Sequence, residues 1–257
     1  MNPLLVLDVV RFEIRRSLSP GRVAIWSILV LFPIALVATL RLLSNRAADE
    51  NAEAWGMALY FLVPEVVCLL GLLLWATPAV STEVEGQTWI YLAMRRSGRN
   101  LVLIGKYLTA VLWSCSAACV ATTVCTIIMG SAGGLQLWFV ICVLSLLSCL
   151  AHAALYILIG TIFFRRTMVT AVFYTLLVEY GLAFVPAMAN RLTINYRLRG
   201  LLADWMDWTT ARTVTENIGG QEAAWFHVAV LLATSVALLA VSILRLTWTE
   251  LPTQQEG

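Results

Sequence analysis

Long uncharged runs dominate the chain, and its few charges cut them into lengths that suit membrane crossing. No Asp, Glu, Lys or Arg stands between Arg22 and Arg41, which predicts a first span at about 23–42. From Ala54 to Ser81 the only charge is Glu65, and a second span is expected at about 55–80. Between Lys106 and Arg165 lie 58 residues with no Asp, Glu, Lys or Arg. One helix cannot use that length. The run Gly130-Ser131-Ala132-Gly133-Gly134 reads as a tight turn dividing it into spans at about 105–129 and 135–164. A fifth span runs over about 167–189 with Glu179 inside it, and a sixth over about 224–245. Backbone groups in hydrocarbon must satisfy one another, so these runs are helices. The expected fold is an all-α integral membrane protein, with six transmembrane helices in one domain over residues 1–257.

The segments between the runs have patterns of their own. Residues 3–18 place Asp8, Arg11 and Arg15 on one side and Val6, Val10 and Ile14 on another, the pattern of an amphipathic interfacial helix. Ser19-Pro20-Gly21 is expected to break it before the first span. Residues 81–100 run from acids (Glu83, Glu85) through an apolar patch (Trp89, Ile90, Leu92, Ala93) to a basic cluster (Arg95, Arg96, Arg99). A short helix ordered this way suits its own dipole and presents an apolar ridge to a groove on a partner. In the segment 190–223, Leu198, Leu201, Leu202 and Trp205 recur at helical spacing among Arg199, Asp204 and Asp207. That predicts a short amphipathic helix, resting on the membrane surface or dipping into it.

Composition agrees with the pattern. Apolar residues make up 60% of the chain and charged residues 12%, against about 45–50% and about 25% in soluble domains. A soluble enzyme and a disordered chain are excluded, and a net charge of +2 gives no reason to expect nucleic acid as a partner. With the N-terminus inside, eleven Lys/Arg fall on the cytoplasmic side and six (Arg41, Arg46, Arg191, Arg197, Arg199, Arg212) outside. The excess predicts a plasma (inner) membrane protein with both termini cytoplasmic, the last outer segment being a partial violation. Trp26, Trp55, Trp138, Trp225 and Trp248 lie near predicted span ends, as an aromatic belt requires. Cys68, Cys115, Cys119, Cys125, Cys142 and Cys149 all lie in apolar runs without a CxxC pair. They read as packing residues rather than disulfides, and no His or Met completes a soft-metal set beside Cys115/Cys119 or Cys142/Cys149.

The order Glu83-x-Glu85-Gly86-x-Thr88, then Leu92, then basic residues ending at Arg99, then Gly105-Lys106 opening a span, resembles the first cytoplasmic loop of ABC-2 type transporter permeases. The layout of elbow helix (3–18), six spans, coupling loop (81–100) and outer segment (190–223) is similar to that family over the whole chain. Such loops often carry a Pro-x-Ser-Arg-like run where this chain has Met94-Arg95-Arg96-Ser97-Gly98-Arg99, which bears on the subfamily. The resemblance implies a coupling helix seated on a separate ATP-binding subunit, with Glu83, Glu85, Gly86, Thr88, Trp89, Arg95, Arg96 and Arg99 at the contact. It also implies a second permease copy or paralogue across the transport path, membrane lipid around it, and an outer segment that caps it. ATP and Mg would belong to the partner subunit. This chain has no GxxxxGK[ST] phosphate loop of its own and no cofactor motif.

Glu65, His152 and Glu179 are the ionisable groups at mid-span depth. Such groups are costly in lipid and either bond between helices, line a path or take part in proton-linked gating. His152 reads as a satisfied core histidine, and His227 stands too far toward the outer end of its span to pair with it around a haem. An integral-membrane hydrolase or transferase is the alternative function, and a non-catalytic scaffold a third. An enzyme needs a clustered catalytic set, whereas these three residues are expected to stand apart.

Overall fold

The computed structural model describes residues 3–43, 52–85, 98–130, 133–163, 166–181, 190–191, 193–208 and 222–248. Among these there is helix and no strand. Helix α1 (Pro3–Ser17) is followed at once by α2 (Pro20–Leu43). The break expected at Ser19-Pro20-Gly21 falls between Ser17 and Pro20, and Pro20 opens α2, where its missing N–H costs no hydrogen bond. Ser19 supplies the cap, its Oγ accepting from Arg22 N at 3.4 Å. The second span is composite. It runs as α3 (Ala52–Tyr60), a π turn (Phe61–Val67) and α4 (Cys68–Trp75), then a 3-10 turn (Thr77–Ala79) and the short α5 (Ser81–Glu85).

Helices α6 (Gly98–Met129) and α7 (Gly134–Ile162) follow. The turn between them has Gly130 at φ +60° and Gly133 at φ +83°, left-handed conformations that glycine adopts without a Cβ clash. Trp138 Nε1 donates to Thr123 Oγ1 at 2.9 Å and pins the two helices just past that turn. Helix α8 (Thr167–Tyr174) continues as a second π turn (Thr175–Gly181), and α9 (Ile194–Met206) and α10 (Ala224–Trp248) complete the chain.

Five helical stretches are long and apolar enough to cross a membrane: Pro20–Leu43, Ala52–Glu83, Asn100–Met129, Gly134–Ile162 and Ala224–Trp248. They mark a multi-pass membrane protein. The stretch expected as the fifth span is a shorter apolar helix over Thr167–Gly181, and the rest of its expected length, 182–189, lies outside the described residues. Helix α7 is the hub, packed by α6, α9, α10 and the composite second span. Of its most apolar window 78% is buried, against 22% for α2 and α10, which turn Ile28, Leu31, Val236 and Val241 outward. Lipid is the natural solvent for such faces.

Close approach depends on small residues where helices touch, since lipid-exposed helices associate through packing. A Cβ on Gly71 would meet Ser114 Oγ at 2.3 Å, and one on Gly160 would meet the Thr77 carbonyl oxygen at 2.8 Å. All six cysteines are free, with Cys115 Sγ and Cys119 Sγ 3.9 Å apart. Among the described residues no three His, Cys, Asp or Glu side chains are placed to hold a metal ion.

Candidate functional site

Polar chemistry gathers at two levels of the bundle. The first lies deep inside it, toward the end opposite α1. Pro64 lacks the N–H that an α-helix needs, and its ring presses on the carbonyl four residues back, so the second span opens into a π turn there. The loosened Pro64 carbonyl accepts from Ser148 Oγ of α7 at 3.0 Å. The next residue, Glu65, is fully buried and faces α9. Arg199 Nε and Nη2 both donate to Glu65 Oε1 at 3.0 Å, and Nη2 also reaches Oε2 at 3.3 Å. The fully buried Tyr60 borders this pair.

Glu179 stands in the other π turn and holds the same helix at its N-terminus. Its carboxylate accepts from Ile194 N at 3.4 Å and Asn195 N at 3.1 Å, while Thr193 Oγ1 accepts from Tyr196 N at 3.2 Å. Three of the four orphan N–H groups of α9 are thereby satisfied, and the carboxylate's charge suits the positive end of the helix. His152 approaches from α7. Its Nδ1 faces the Ser148 carbonyl at 3.0 Å, an acceptor only, so Nδ1 carries the proton. The bare Nε2 then lies 4.0 Å from Glu179 Oε2, acceptor facing acceptor.

The three mid-span groups therefore do not stand apart, as the sequence suggested. They converge on α9 from three helices. Nor does α9 rest on a surface. Ile194 to Leu198 and Gly200 to Ala203 are buried, packed against α7 and α10, and Trp208 just past it covers Gly56 of α3. The leucine stripe at 198, 201 and 202 is where expected, fully buried. Arg197 bonds Glu222, and Arg191 Nη1 lies 3.4 Å from the same carboxylate.

The second level is at the α1 end. Glu83 of α5 is buried, with its Oε1 2.8 Å from Lys106 Nζ of α6 and 3.1 Å from Arg16 Nη1 of α1. Lys106 also lies 3.8 Å from Glu13 of α1. Trp113 Nε1 donates to Ser17 Oγ at 2.7 Å, and Gly105 leaves room for Val9, whose Cγ1 a Cβ would meet at 2.6 Å. So α1 turns Val9, Glu13 and Ser17 to the protein, and leaves Asp8, Arg11 and Arg15 exposed as its amphipathic pattern implied.

Glu83 thus faces inward rather than outward. Glu85 closes α5 and Arg99 stands in the first turn of α6. Gly86, Thr88, Trp89, Arg95 and Arg96 lie outside the described residues. Reading by pattern missed Arg199, Thr193, Lys106 and Arg16 as partners. Pro64 beside Glu65 was the available signal for the π turn. No protein-family profile, curated protein or solved structure matches the chain.

Proposed function

We propose that this chain is the membrane-spanning permease subunit of an ATP-driven exporter of the ABC-2 type. It works beside a second copy or paralogue in the plasma membrane, with both termini in the cytoplasm, and takes its energy from a separate subunit that binds ATP and Mg. The observation that carries this reading is the three-way clamp at Glu83. The segment that resembles a coupling helix leaves directly from α5, and Glu83 ties α5 to both α1 and α6. A push on that segment therefore moves the elbow helix and the third span together instead of bending a loop. At the far end α9, held by Glu65 and Glu179, is a natural cap on the path. The basic residues that strained the orientation rule fit as well, because Arg191, Arg197 and Arg199 are each in an ion pair.

In this scheme Glu83 acts behind the contact surface and Trp89, Arg95 and Arg96 act on it. Tagged chain purified from its native membrane in mild detergent should bring down a near-stoichiometric ATPase. Replacing Trp89 and Arg95 should release that subunit. Glu83→Gln should retain it while ATP hydrolysis loses its dependence on transport. Failure to recover an ATPase across several detergents, with the chain intact, would reject the proposal.

A second reading, an integral-membrane hydrolase or transferase, draws on the convergence of Glu65, His152 and Glu179. Against it, Arg199 occupies the Glu65 carboxylate and the α9 backbone occupies that of Glu179, so neither is free to attack or to activate water.

A further inference from the structure

Beside the Glu83 clamp lies a small open cleft of about 40 Å³ among α1, α2, the end of the second span and α6. Glu13, Arg22, Trp75, Lys106, Thr109 and Trp113 are among its lining residues. We propose that this cleft is a binding site for a glycerophospholipid headgroup, held through its phosphate by Arg22 and the Thr109 hydroxyl.

Depth is the first argument. Helix α6 has 32 residues, or about 48 Å at about 1.5 Å per residue. The hydrocarbon core takes only about 20 residues of a helix. Counted back from Met129 at the α6–α7 turn, that stretch ends at Ala110, so Thr109 and Lys106 fall in the headgroup zone. Arg22 falls there too, since the uncharged run of α2 begins at Val23. The two helices place the cleft at one level by independent counts.

Chemistry is the second. Thr109 is only 7% exposed, yet its Oγ1 has no partner. Thr122, Thr123 and Thr126 of the same helix satisfy their hydroxyls on the carbonyl four residues back. Thr109 does not, and lines the cleft instead. A buried hydroxyl without a partner costs about as much as a lost hydrogen bond, and an incoming oxygen acceptor removes that cost. Charge gives the sign of the ligand. Arg16, Arg22 and Lys106 face only Glu13 and Glu83 here, and Arg22 has no acidic partner among the described residues. Trp75 and Trp113, with ring centroids 5.8 Å apart, form an aromatic wall of the kind favoured at the membrane interface. Leu112 and Val23 lie exposed beside it, where acyl chains would run.

The test uses the full chain, stripped of lipid in detergent and examined by native mass spectrometry. Its ligands are phosphatidylglycerol, a diacylglycerol of the same acyl chains, and glycerol 3-phosphate. Phosphatidylglycerol should bind at one site about tenfold more tightly than diacylglycerol, the scale of one charge-assisted hydrogen bond. Arg22→Gln should lose most of that preference at an unchanged thermal midpoint, and Thr109→Val several-fold of it without any fall in midpoint, since it removes an unpartnered buried hydroxyl. Arg11→Gln, on the exposed side of α1, should keep it. Equal binding of diacylglycerol, or equal losses in Arg11→Gln and Arg22→Gln, would overturn the site. Glycerol 3-phosphate binding as tightly as the lipid would show a soluble-anion site and overturn the lipid assignment.

Discussion

Arg199→Ala tests the deep cluster by leaving one buried charge without its partner. Glu65 is wholly buried and Arg199, with 31% of its side chain exposed, is not. The two ends of the pair should therefore respond differently. Deleting the guanidinium strips three contacts of 3.0, 3.0 and 3.3 Å from a carboxylate that water cannot reach. Breaking a buried pair from one side costs about 3–5 kcal/mol. Neutral interhelical hydrogen bonds in membrane proteins average about 0.6 kcal/mol. Because the group left behind is charged, the larger scale applies, and we expect about 3 kcal/mol for Arg199→Ala. For a chain of this size that is a fall of about 6–12 °C in thermal midpoint. Glu65→Gln leaves a partly exposed guanidinium that water can still solvate, so about 1 kcal/mol is expected. The double variant Glu65→Gln/Arg199→Ala buries no charge and should be more stable than Arg199→Ala alone. Circular dichroism melts of purified chain in one mild detergent give all four corners of this cycle. A double variant no more stable than Arg199→Ala, or an Arg199→Ala midpoint equal to the parent's, would refute the argument.

Three further expectations follow from other contacts in the bundle. Gly105→Leu should lift α1 away from α6, because even a Cβ there meets Val9 at 2.6 Å; faster proteolysis within residues 3–17 would show it, and unchanged digestion would contradict it. Thr193→Ala should cost about 1 kcal/mol through the lost α9 cap, seen as faster amide exchange in Ile194–Met206 with little change in α7. Lys106→Ala takes from the buried Glu83 its ammonium partner at 2.8 Å and should be more destabilising than Lys106→Ala in a Glu83→Gln background, measured by the same melts.

Much of the architecture was legible in the order of charges. Arg22, Arg41, Lys106 and Arg165 bracket the apolar runs, and the helix break expected at Gly130–Gly134 is there, with Gly130 and Gly133 in left-handed conformations. The amphipathic spacing of residues 3–18 and of Leu198, Leu201 and Leu202 located α1 and α9, since a helix writes its faces into its sequence at short range. Partners across long stretches of chain leave no such mark. Glu65 and Arg199 are 134 residues apart, and each alone looks like an isolated cost. The inward turn of Glu83 was hidden for the same reason, because its place in the coupling-loop pattern assigned it to the contact with a partner subunit. Whether α9 rests on the surface or dips into the membrane was left open because Arg199 and Asp204 punctuate it, and the bundle takes in the first of these by supplying Glu65.

The two π turns bear on how this chain tolerates changes of length. The first, over Phe61–Val67, accommodates one residue beyond the α-helical count, so α3 on one side keeps its rotational phase with α4 on the other. Leu59 and Tyr60 before the first turn, and Cys68, Leu69 and Leu72 after it, all reach the same core. Removing one residue from an α-helical stretch of α7 would turn everything beyond it by about 100° and carry the core face into lipid. Removing the exposed Phe61 would instead take up the extra residue of the π turn and leave both flanks facing as they do now, with Pro64 still bending the helix there. The second span thus carries its own slack, at the turn that presents Glu65.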